Sequence, residues 1–212
     1  MFDILFSKLH KEGYRFVAIA SLLTIFLLFI SNTLGTISLI ITIWVYYFFR
    51  DPDRNSINDD NYLVSPADGV ISQIIETNGP KELNLENKRF TRVSIFMNVF
   101  NCHVNRVPTA SSISEIYYKP GKFFNASLDK ASEENERNYV KIKNTEGEEL
   151  ILVQIAGLIA RRIVCNIKKD DKLKKGDRFG IIRFGSRVDL YFENYKLMVT
   201  LNQKSVGGET II

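Results

Sequence analysis

Several residue types on which small functional sites depend are scarce in this sequence. Its 212 residues include two cysteines, two histidines and one tryptophan. Cys102 and Cys165 cannot form a disulfide framework, and neither belongs to a group of cysteines and histidines with zinc-binding spacing. We interpret both as reduced thiols in a cytosolic compartment, and the sequence predicts no metal site.

Charge is almost absent from residues 14–49. Two apolar runs, 14–30 and 34–49, lie there on either side of a short polar break, and each is slightly shorter than the roughly 20 residues that span a hydrocarbon core. Basic residues lie outside both ends and none lies in the break, so both ends should be cytoplasmic. We predict an N-terminal helical hairpin in the cell (inner) membrane, spanning it or dipping into one leaflet. A buried hairpin in a soluble core and a cleaved signal peptide followed by an anchor are the alternatives.

The net charge of +4 limits the choice of partners. Residues 1–50 carry four basic and two acidic side chains, which leaves +2 for the remainder. This balance argues against a nucleic-acid partner, whereas a basic flank beside apolar segments suits an anionic membrane face. Residues 51–62 are polar and lack apolar periodicity, so we place a boundary between a membrane hairpin, 1–50, and a second domain, 51–212.

Beyond this boundary the apolar runs are short and rich in valine, isoleucine, phenylalanine and tyrosine. Such runs, separated by Gly, Pro and Asn clusters, predict a compact, mostly antiparallel β domain of the mainly β (α+β) class. The predicted strands are 69–75, 92–100, 113–118, 139–142, 150–155, 162–167, 179–184, 188–192 and 197–201. One or two helical turns are expected around 126–136, and a turn at 171–180.

The two histidines differ in their surroundings. His10 lies in the segment before the apolar runs, where we expect a solvated side chain. His103 follows an apolar strand, and polar residues at strand ends are common positions for chemistry. A structural histidine bonded to a backbone carbonyl is the alternative interpretation of His103.

Two further segments contain candidate site residues. Asp68 belongs to SPADG at 65–69, just before a strand; its plain interpretation is a turn, in which the carboxylate bonds the backbone. Arg161 and Arg162 follow an apolar segment and carry guanidinium groups suited to phosphate or carboxylate, with an ordinary surface pair as the alternative.

The dipeptide Gly185-Ser186 lies between two predicted strands. A plain turn is one interpretation, and the segment is not the GxSxG of a nucleophile elbow. A strained Gly-Ser turn can also react, because the Ser186 hydroxyl can attack the Gly185 carbonyl, which no side chain shields. The resulting ester can lose the Ser186 α-proton and split the chain by β-elimination, and the dehydroalanine left behind hydrolyses to a pyruvoyl group and ammonia.

Six motifs in order resemble those of the short, prokaryotic and archaeal-type phosphatidylserine decarboxylase proenzymes. They are SPADG (65–69), FMNVFNCHVNRVP (96–108), PGKFFNASLDKASEENER (120–137), QIAGLIARRI (154–163), KGDRFGIIRFGSRVD (175–189) and GGET (207–210). The resemblance covers nearly the whole chain. It implies self-cleavage between Gly185 and Ser186 into a β chain, 1–185, and an α chain, 186–212, which together form a heterodimer.

The resemblance also implies a cofactor and a reaction. A pyruvoyl group derived from Ser186 would form a Schiff base with the amine of phosphatidylserine, release CO₂ and leave phosphatidylethanolamine. It implies that Asp68 takes part in self-processing and His103 in proton transfer. Arg106 replaces the second histidine of longer bacterial relatives, so either His103 serves both stages or processing relies on Asp68 and backbone strain.

Lys122, Arg161 and Arg162 are the candidates for the lipid phosphate. A decarboxylase of archaetidylserine or a related phospholipid, or a noncatalytic membrane-anchored β binding module, are the competing functions. The sequence leaves the oligomeric state open, including any oligomer of the cleaved heterodimer.

Overall fold

The computed structural model describes residues 7–124, 134–157, 162–183 and 186–212. The chain divides into two compact units, Met1–Asp53 and Arg54–Ile212. The first is helical and the second consists of two antiparallel sheets.

The first unit is a pair of antiparallel helices, α1 (Tyr14–Ile30) and α2 (Asn32–Phe48), preceded by a short 3-10 helix, Lys11–Gly13. Ser31 alone separates α1 from α2, and its extended backbone lets the chain reverse. The Thr24 hydroxyl lies 2.9 Å from the hydroxyls of both Ser38 and Thr42 on the facing helix. Hydroxyl groups therefore pair inside an otherwise apolar helix contact.

Most large apolar side chains of α1 and α2 are exposed within this unit. Phe29 is 87% exposed and Leu22 is 68% exposed. The helical stretch Lys11–Ile30 is long and apolar enough to cross a membrane by length and composition, whereas Asn32–Phe48 is shorter.

His10 differs from its expected solvated state. It is buried, and its Nδ1 accepts a hydrogen bond of 3.2 Å from the Glu12 amide at the start of the 3-10 helix. The expectation of solvent exposure was wrong because composition does not reveal a capping contact.

The second unit is built on an eight-stranded sheet in the order β11-β1-β2-β10-β6-β5-β4-β8. All its neighbouring strands are antiparallel. Its strands are β1 (Gly69–Asn78), β2 (Arg89–Met97), β4 (Ser111–Lys119), β5 (Arg137–Asn144), β6 (Glu149–Ala156), β8 (Lys172–Leu173), β10 (Ser186–Phe192) and β11 (Lys204–Ser205).

A smaller sheet has the order β3-β9-β7. Its strands are β3 (Val104–Arg106), β7 (Arg162–Cys165) and β9 (Arg178–Arg183). Phe179, Ile182 and Ile163 of this sheet belong to the same apolar core as Val188 and Leu190 of β10. The small sheet therefore packs on one face of the large sheet.

Side-chain alternation gives the large sheet two distinct faces. The front face, which the small sheet covers, carries Met97, Gln154, Ser186 and the apolar core residues between them. The back face carries a second apolar cluster of Phe90, Tyr139, Ile151, Val153, Ile155 and Tyr191, together with charged side chains.

The expected mostly antiparallel β fold after an apolar helical segment is confirmed. The strand predicted at 197–201 was wrong: these residues form no strand, and of the four apolar side chains there only Val199 is buried. The strand predicted at 92–100 ends at Met97. Residues 125–133, most of the expected helical turns, lie outside the described residues, and 134–136 form a turn and a bridge.

Candidate active site

Ser186 is the first residue of β10 and is fully buried. It pairs with Met97 of β2 on one side and with Ala156 of β6 on the other. Its hydroxyl points to the front face, where Oγ lies 4.0 Å from the Met97 sulfur. The hydroxyl is thus buried at the end of a central strand of the sheet.

The strand preceding Ser186 belongs to the other sheet. β9 ends at Arg183 and pairs with β3 and β7, whereas β10 pairs with β2 and β6. The chain therefore changes sheet within two residues. Gly185, the predicted source of the scissile carbonyl, lies outside the described residues.

His103 is fully buried beside the end of β9. The Ile182 amide donates to the His103 carbonyl oxygen at 3.3 Å, four residues before Ser186. His103 Nδ1 lies 3.0 Å from the Asn101 carbonyl oxygen. Because a carbonyl only accepts, Nδ1 carries the proton of the neutral ring, and Nε2 is its basic nitrogen. The backbone contact of a structural histidine is therefore present, and it orients the ring.

Asp68 lies at the same end of the sheet as Ser186. Val70 pairs with Phe96, and Ser186 pairs with the next residue of β2, Met97. Two strand spacings, about 10 Å, separate the β1 and β10 backbones there. Gly69 allows the start of β1 to lie close to β2, because a Cβ at its φ of 155° would collide with the Phe96 carbonyl oxygen.

The Asp68 carboxylate is engaged by two groups that the sequence did not indicate. Arg54 Nη2 donates to both carboxylate oxygens, at 2.9 and 3.2 Å, and the Gly207 amide donates at 2.8 Å. Asp68 is 15% exposed at its side chain and Arg54 is 13% exposed. A partly buried ion pair thus joins Arg54 to the motif at 65–69, and the Gly207 amide joins that motif to the one at 207–210.

Part of the polar segment 51–62, which we interpreted as a linker between the two domains, is bound within the second unit. The Asn55 amide donates to the Glu209 carboxylate at 3.0 Å, and Ser56 Oγ donates to the Gly208 carbonyl at 2.5 Å. Polar composition predicted a linker, but it cannot distinguish a solvated segment from one whose polar groups bind another segment.

A chain of buried amides reaches the serine on the front face. Asn138 Nδ2 donates to Gln154 Oε1 at 3.0 Å, and Gln154 Nε2 donates to Asn105 Oδ1 at 2.8 Å. Asn105 Nδ2 lies 3.8 Å from the Met97 sulfur that Ser186 also contacts. Sequence reasoning missed this series, although a glutamine at a core position of an apolar strand was a usable signal.

Arg106 lies on β3, three residues after His103. It is buried, and its guanidinium donates to the Gly176 carbonyl oxygen at 2.8 Å. Its amide donates to the Pro66 carbonyl oxygen at 2.9 Å, which ties it to the SPADG turn. Arg106 therefore joins the Asp68 segment to the turn before β9.

The described phosphate candidates lie around the same end of the sheet. Lys122 bridges to Asn135 through the backbone and forms an exposed ion pair of 2.8 Å with Glu134. Arg162 is exposed at the start of β7, where it pairs with Arg183, a second basic residue that the sequence did not single out. Arg161 lies outside the described residues.

The buried residue Glu136 contacts both β7 and β6. Glu136 is 5% exposed and accepts a hydrogen bond of 3.1 Å from the Ile163 amide. Its carbonyl accepts from the Ala156 amide at 3.0 Å, beside Ser186. The sequence placed Glu136 in a segment of expected helical turns, which gave no sign of burial.

Comparison with known proteins defines the class. Residues 41–212 match the family model described as phosphatidylserine decarboxylase. The whole chain is 64% identical to the phosphatidylserine decarboxylase proenzyme of Pelagibacter ubique, covering 99% of that protein. It is 50% identical over its full length to the proenzymes of Ruegeria pomeroyi and Rickettsia typhi, covering 97% and 92% of them.

These matches confirm the resemblance drawn from the six motifs. The protein is a carboxy-lyase by family. The chain belongs to the phosphatidylserine decarboxylase family.

Proposed function

We propose that this chain decarboxylates phosphatidylserine to phosphatidylethanolamine with a pyruvoyl group that it makes from Ser186. The observation that carries the proposal is the position of Ser186. A buried serine begins a central strand directly after Gly185 and a change of sheet. The names of the relatives supply the substrate.

The site fits a small neutral group at the start of β10. Apolar and neutral side chains surround Ser186 on the front face, including Met97 and the amide series ending at Asn105. An α-keto amide carries no charge, so its burial there needs no counterion. Cleavage before residue 186 would also leave β10 hydrogen-bonded along its length between β2 and β6.

Self-processing uses atoms of two adjacent residues. Ser186 Oγ attacks the Gly185 carbonyl carbon, and the C–N bond breaks as the ester forms. Loss of the Ser186 α-proton then expels the Gly185 carboxylate and leaves dehydroalanine, which water converts to the ketone with release of ammonia. The Asp68 segment is the proposed processing element, because it lies at the same sheet end and is fixed by Arg54 and Gly207.

The pyruvoyl group, when present, supplies a ketone that binds the substrate amine and accepts the electron pair released with CO₂. The chain's own contribution is proton transfer and positioning. His103 is proposed to exchange a proton through Nε2, because the Asn101 carbonyl holds its Nδ1. Lys122 and Arg162 are proposed to bind the lipid phosphate, with Arg161 as a third candidate.

Lys122 lies within reach of a headgroup bound at Ser186. Its backbone neighbour Asn135 precedes Glu136, which adjoins Ala156, the strand partner of Ser186. Three strand spacings, roughly 14 Å, separate the two backbones. A long lysine side chain and an extended headgroup together bridge such a distance.

The apolar helices are proposed to keep the chain at the cytoplasmic face of the inner membrane, where its diacyl substrate resides. Their exposed apolar side chains suit lipid better than water, since each buried CH₂ contributes about 0.8 kcal/mol. The two fragments, 1–185 and 186–212, are proposed to stay together as a heterodimer.

The substitution Ser186→Ala tests the proposal most directly. We expect no chain splitting and no CO₂ release, because the hydroxyl that becomes the ketone is missing. Intact-mass analysis should find one chain of full length in the variant. In the unmodified protein it should find a fragment ending at Gly185 and a short fragment with a blocked N-terminus.

Ser72→Ala is the matched control, since Ser72 is an exposed β1 serine whose hydroxyl contacts the Ser94 carbonyl. It should split and decarboxylate normally. An uncleaved, folded protein with an unmodified Ser186 that still released CO₂ would contradict the mechanism. A processed protein that acted on another serine phospholipid but not on phosphatidylserine would contradict the substrate.

A further inference from the structure

The back face of the large sheet contains a cavity that the proposed reaction does not use. Its volume is about 340 Å³. The polar side chains that matter for its chemistry are those of Arg92, Arg137, Arg187, Tyr139, Tyr191 and Glu82. They come from three strands of the large sheet, β2, β10 and β5, and from the segment between β1 and β2, so the cavity is a product of sheet formation.

The lining is strongly basic. Among the described residues that form it there are three arginines and one glutamate. Glu82 is engaged by the Lys119 ammonium at 2.9 Å, outside the lining. Burial opposes its ionisation, but the Lys119 ammonium together with hydrogen bonds from the backbone and Tyr139 lowers the pKa of Glu82, so it is ionised at neutral pH. The surplus of positive charge makes this cavity favourable for an anion.

The arginines are held in place by the sheet. Arg187 is 3% exposed, and Asp189, two residues along β10, binds its guanidinium through contacts of 2.9 and 3.0 Å. Arg137 Nη1 donates to the Tyr139 hydroxyl at 3.3 Å, and Arg92 donates to the Gln73 side chain. Preorganised guanidinium groups lose little conformational entropy when they bind a planar or tetrahedral oxyanion.

Both tyrosines add neutral hydroxyl groups to the lining, and that of Tyr139 is hydrogen-bonded to Glu82. Burial raises the pKa of Tyr139 to about 12, and burial together with the Asp189 charge raises the pKa of Tyr191. Each phenol therefore keeps its proton at physiological pH. The cavity thus combines guanidinium groups with O–H groups, the donor types that phosphate oxygens accept from.

The cavity is separate from the reacting serine. Ser186 and Arg187 are consecutive residues of β10, so their side chains point to opposite faces of the sheet. Ser186 faces the core under the small sheet, whereas Arg187 lines the cavity. An anion in the cavity would therefore contact the strand that carries the reacting residue without entering the reaction site.

We propose that this cavity binds a phosphate group carried on a small organic moiety. Inorganic phosphate alone would fill only part of it, since 340 Å³ lies at the lower end of the range for small-ligand pockets, about 300–1,000 Å³. The phosphate belongs either to a soluble phosphate ester or to a phospholipid headgroup, which share this chemistry. Binding would stabilise β10 and hence the fragment that begins at Ser186.

Thermal denaturation of the full chain in phosphatidylcholine nanodiscs tests the proposal. Every protein carries Ser186→Ala, which keeps the chain uncleaved and makes the result independent of the proposed reaction. The soluble probe is glycerol 3-phosphate, and the lipid probe is phosphatidylglycerol included in the nanodisc. We expect one probe to raise the melting temperature by several degrees.

The variants Arg92→Gln and Arg137→Gln should each weaken the binding of that probe about tenfold, because each removes charge-assisted hydrogen bonds. Arg178→Gln, at an exposed position on the small sheet, is the matched control and should keep the full shift. A shift from glycerol 3-phosphate identifies a soluble ester, and a shift from phosphatidylglycerol alone identifies a headgroup.

If Arg137→Gln lowers the melting temperature without a probe, Arg137→Lys separates folding from binding. Lysine keeps the charge but not the planar fork, so folding and part of the shift should return. The proposal is overturned if neither probe shifts the unmodified cavity, or if the arginine and control variants respond equally.

Discussion

The two faces of the large sheet, formed by alternate residues of the same strands, bury polar groups of opposite kinds, neutral on the front face and charged on the back face. The front face buries Ser186, Gln154 and Asn138 among apolar groups, and its polar contacts are neutral hydrogen bonds. The back face buries Arg187 and Asp189 as an ion pair beside a basic cavity. The Ser186 hydroxyl, the proposed nucleophile, is thus buried among neutral groups while the opposite face of the same sheet holds full charges.

The largest expected effect on stability comes from disrupting the buried ion pair of the back face. Arg187→Met, introduced beside Ser186→Ala, leaves the Asp189 carboxylate, 1% exposed, without its partner. We expect a loss of about 3–5 kcal/mol in the free energy of unfolding, the usual cost of an uncompensated buried charge. Urea denaturation of the detergent-solubilised chain measures it.

The double change Arg187→Met and Asp189→Leu is the control for that experiment. It removes both charges, so most of the lost stability should return. Equal losses in the single and double variants would mean that packing of the arginine stem, and not the ion pair, supports the back face.

The next largest effect comes from disrupting the neutral hydrogen bonds of the front face. Gln154→Leu leaves Asn105 without a donor and Asn138 without an acceptor in the core. Each such group costs about 1–3 kcal/mol, so the loss should approach that of the charged variant while the pH dependence stays unchanged. The measurement is urea denaturation at pH 6 and pH 8.

Gln73→Leu is the matched variant on the half-buried back face and should cost less than about 1 kcal/mol, because water can replace the lost contact. A Gln154→Leu protein as stable as the parent would show that the amide series contributes nothing to the front face.

The smallest expected effect is a pH-dependent loss of stability on substitution of Glu149. Burial opposes ionisation of Glu149, but the Lys141 ammonium at 3.0 Å, together with the charges of Lys88 and Lys143, lowers its pKa from the ordinary value of 4.5. A carboxyl with a depressed pKa stabilises the fold above its unfolded value, and this contribution is lost as pH falls through the folded value. Glu149→Gln should therefore lose about 0.5–1 kcal/mol at pH 7 and little at pH 3.

Urea midpoints measured from pH 7 down to pH 3 check this sign. Glu146→Gln, on an exposed turn, is the control and should follow the parent. A loss in Glu149→Gln that grew on acidification would reverse the assignment.

The strands that alternate or run continuously apolar, such as β1, β5 and β6, were predictable because their pattern is local. The short strands β3, β8 and β11 were not, since two or three residues carry no periodicity and pair only where the fold brings a neighbour. The predicted strand at 197–201 failed for the same reason: apolar composition does not supply a partner strand.

The residues of the candidate site likewise divide into those that the sequence indicated and those that only the fold revealed. Ser186, Asp68 and His103 could be selected from motif order, because each motif is a short run of neighbours. Arg54 and Glu136 could not, since their roles arise from contacts with segments more than ten residues away. Arg187 could not be selected from the sequence either, because only the sheet shows that it faces a cavity shared with Arg92 and Arg137.

Local order along the chain determined the apolar helical segment, the antiparallel β class and the Gly-Ser dipeptide on which the proposed chemistry rests, because each depends on residue types at short spacing. The packing of the two sheets decided which polar groups are buried, which carboxylates are paired and which arginines converge. These properties depend on long-range register, for which a single sequence contains no local signal.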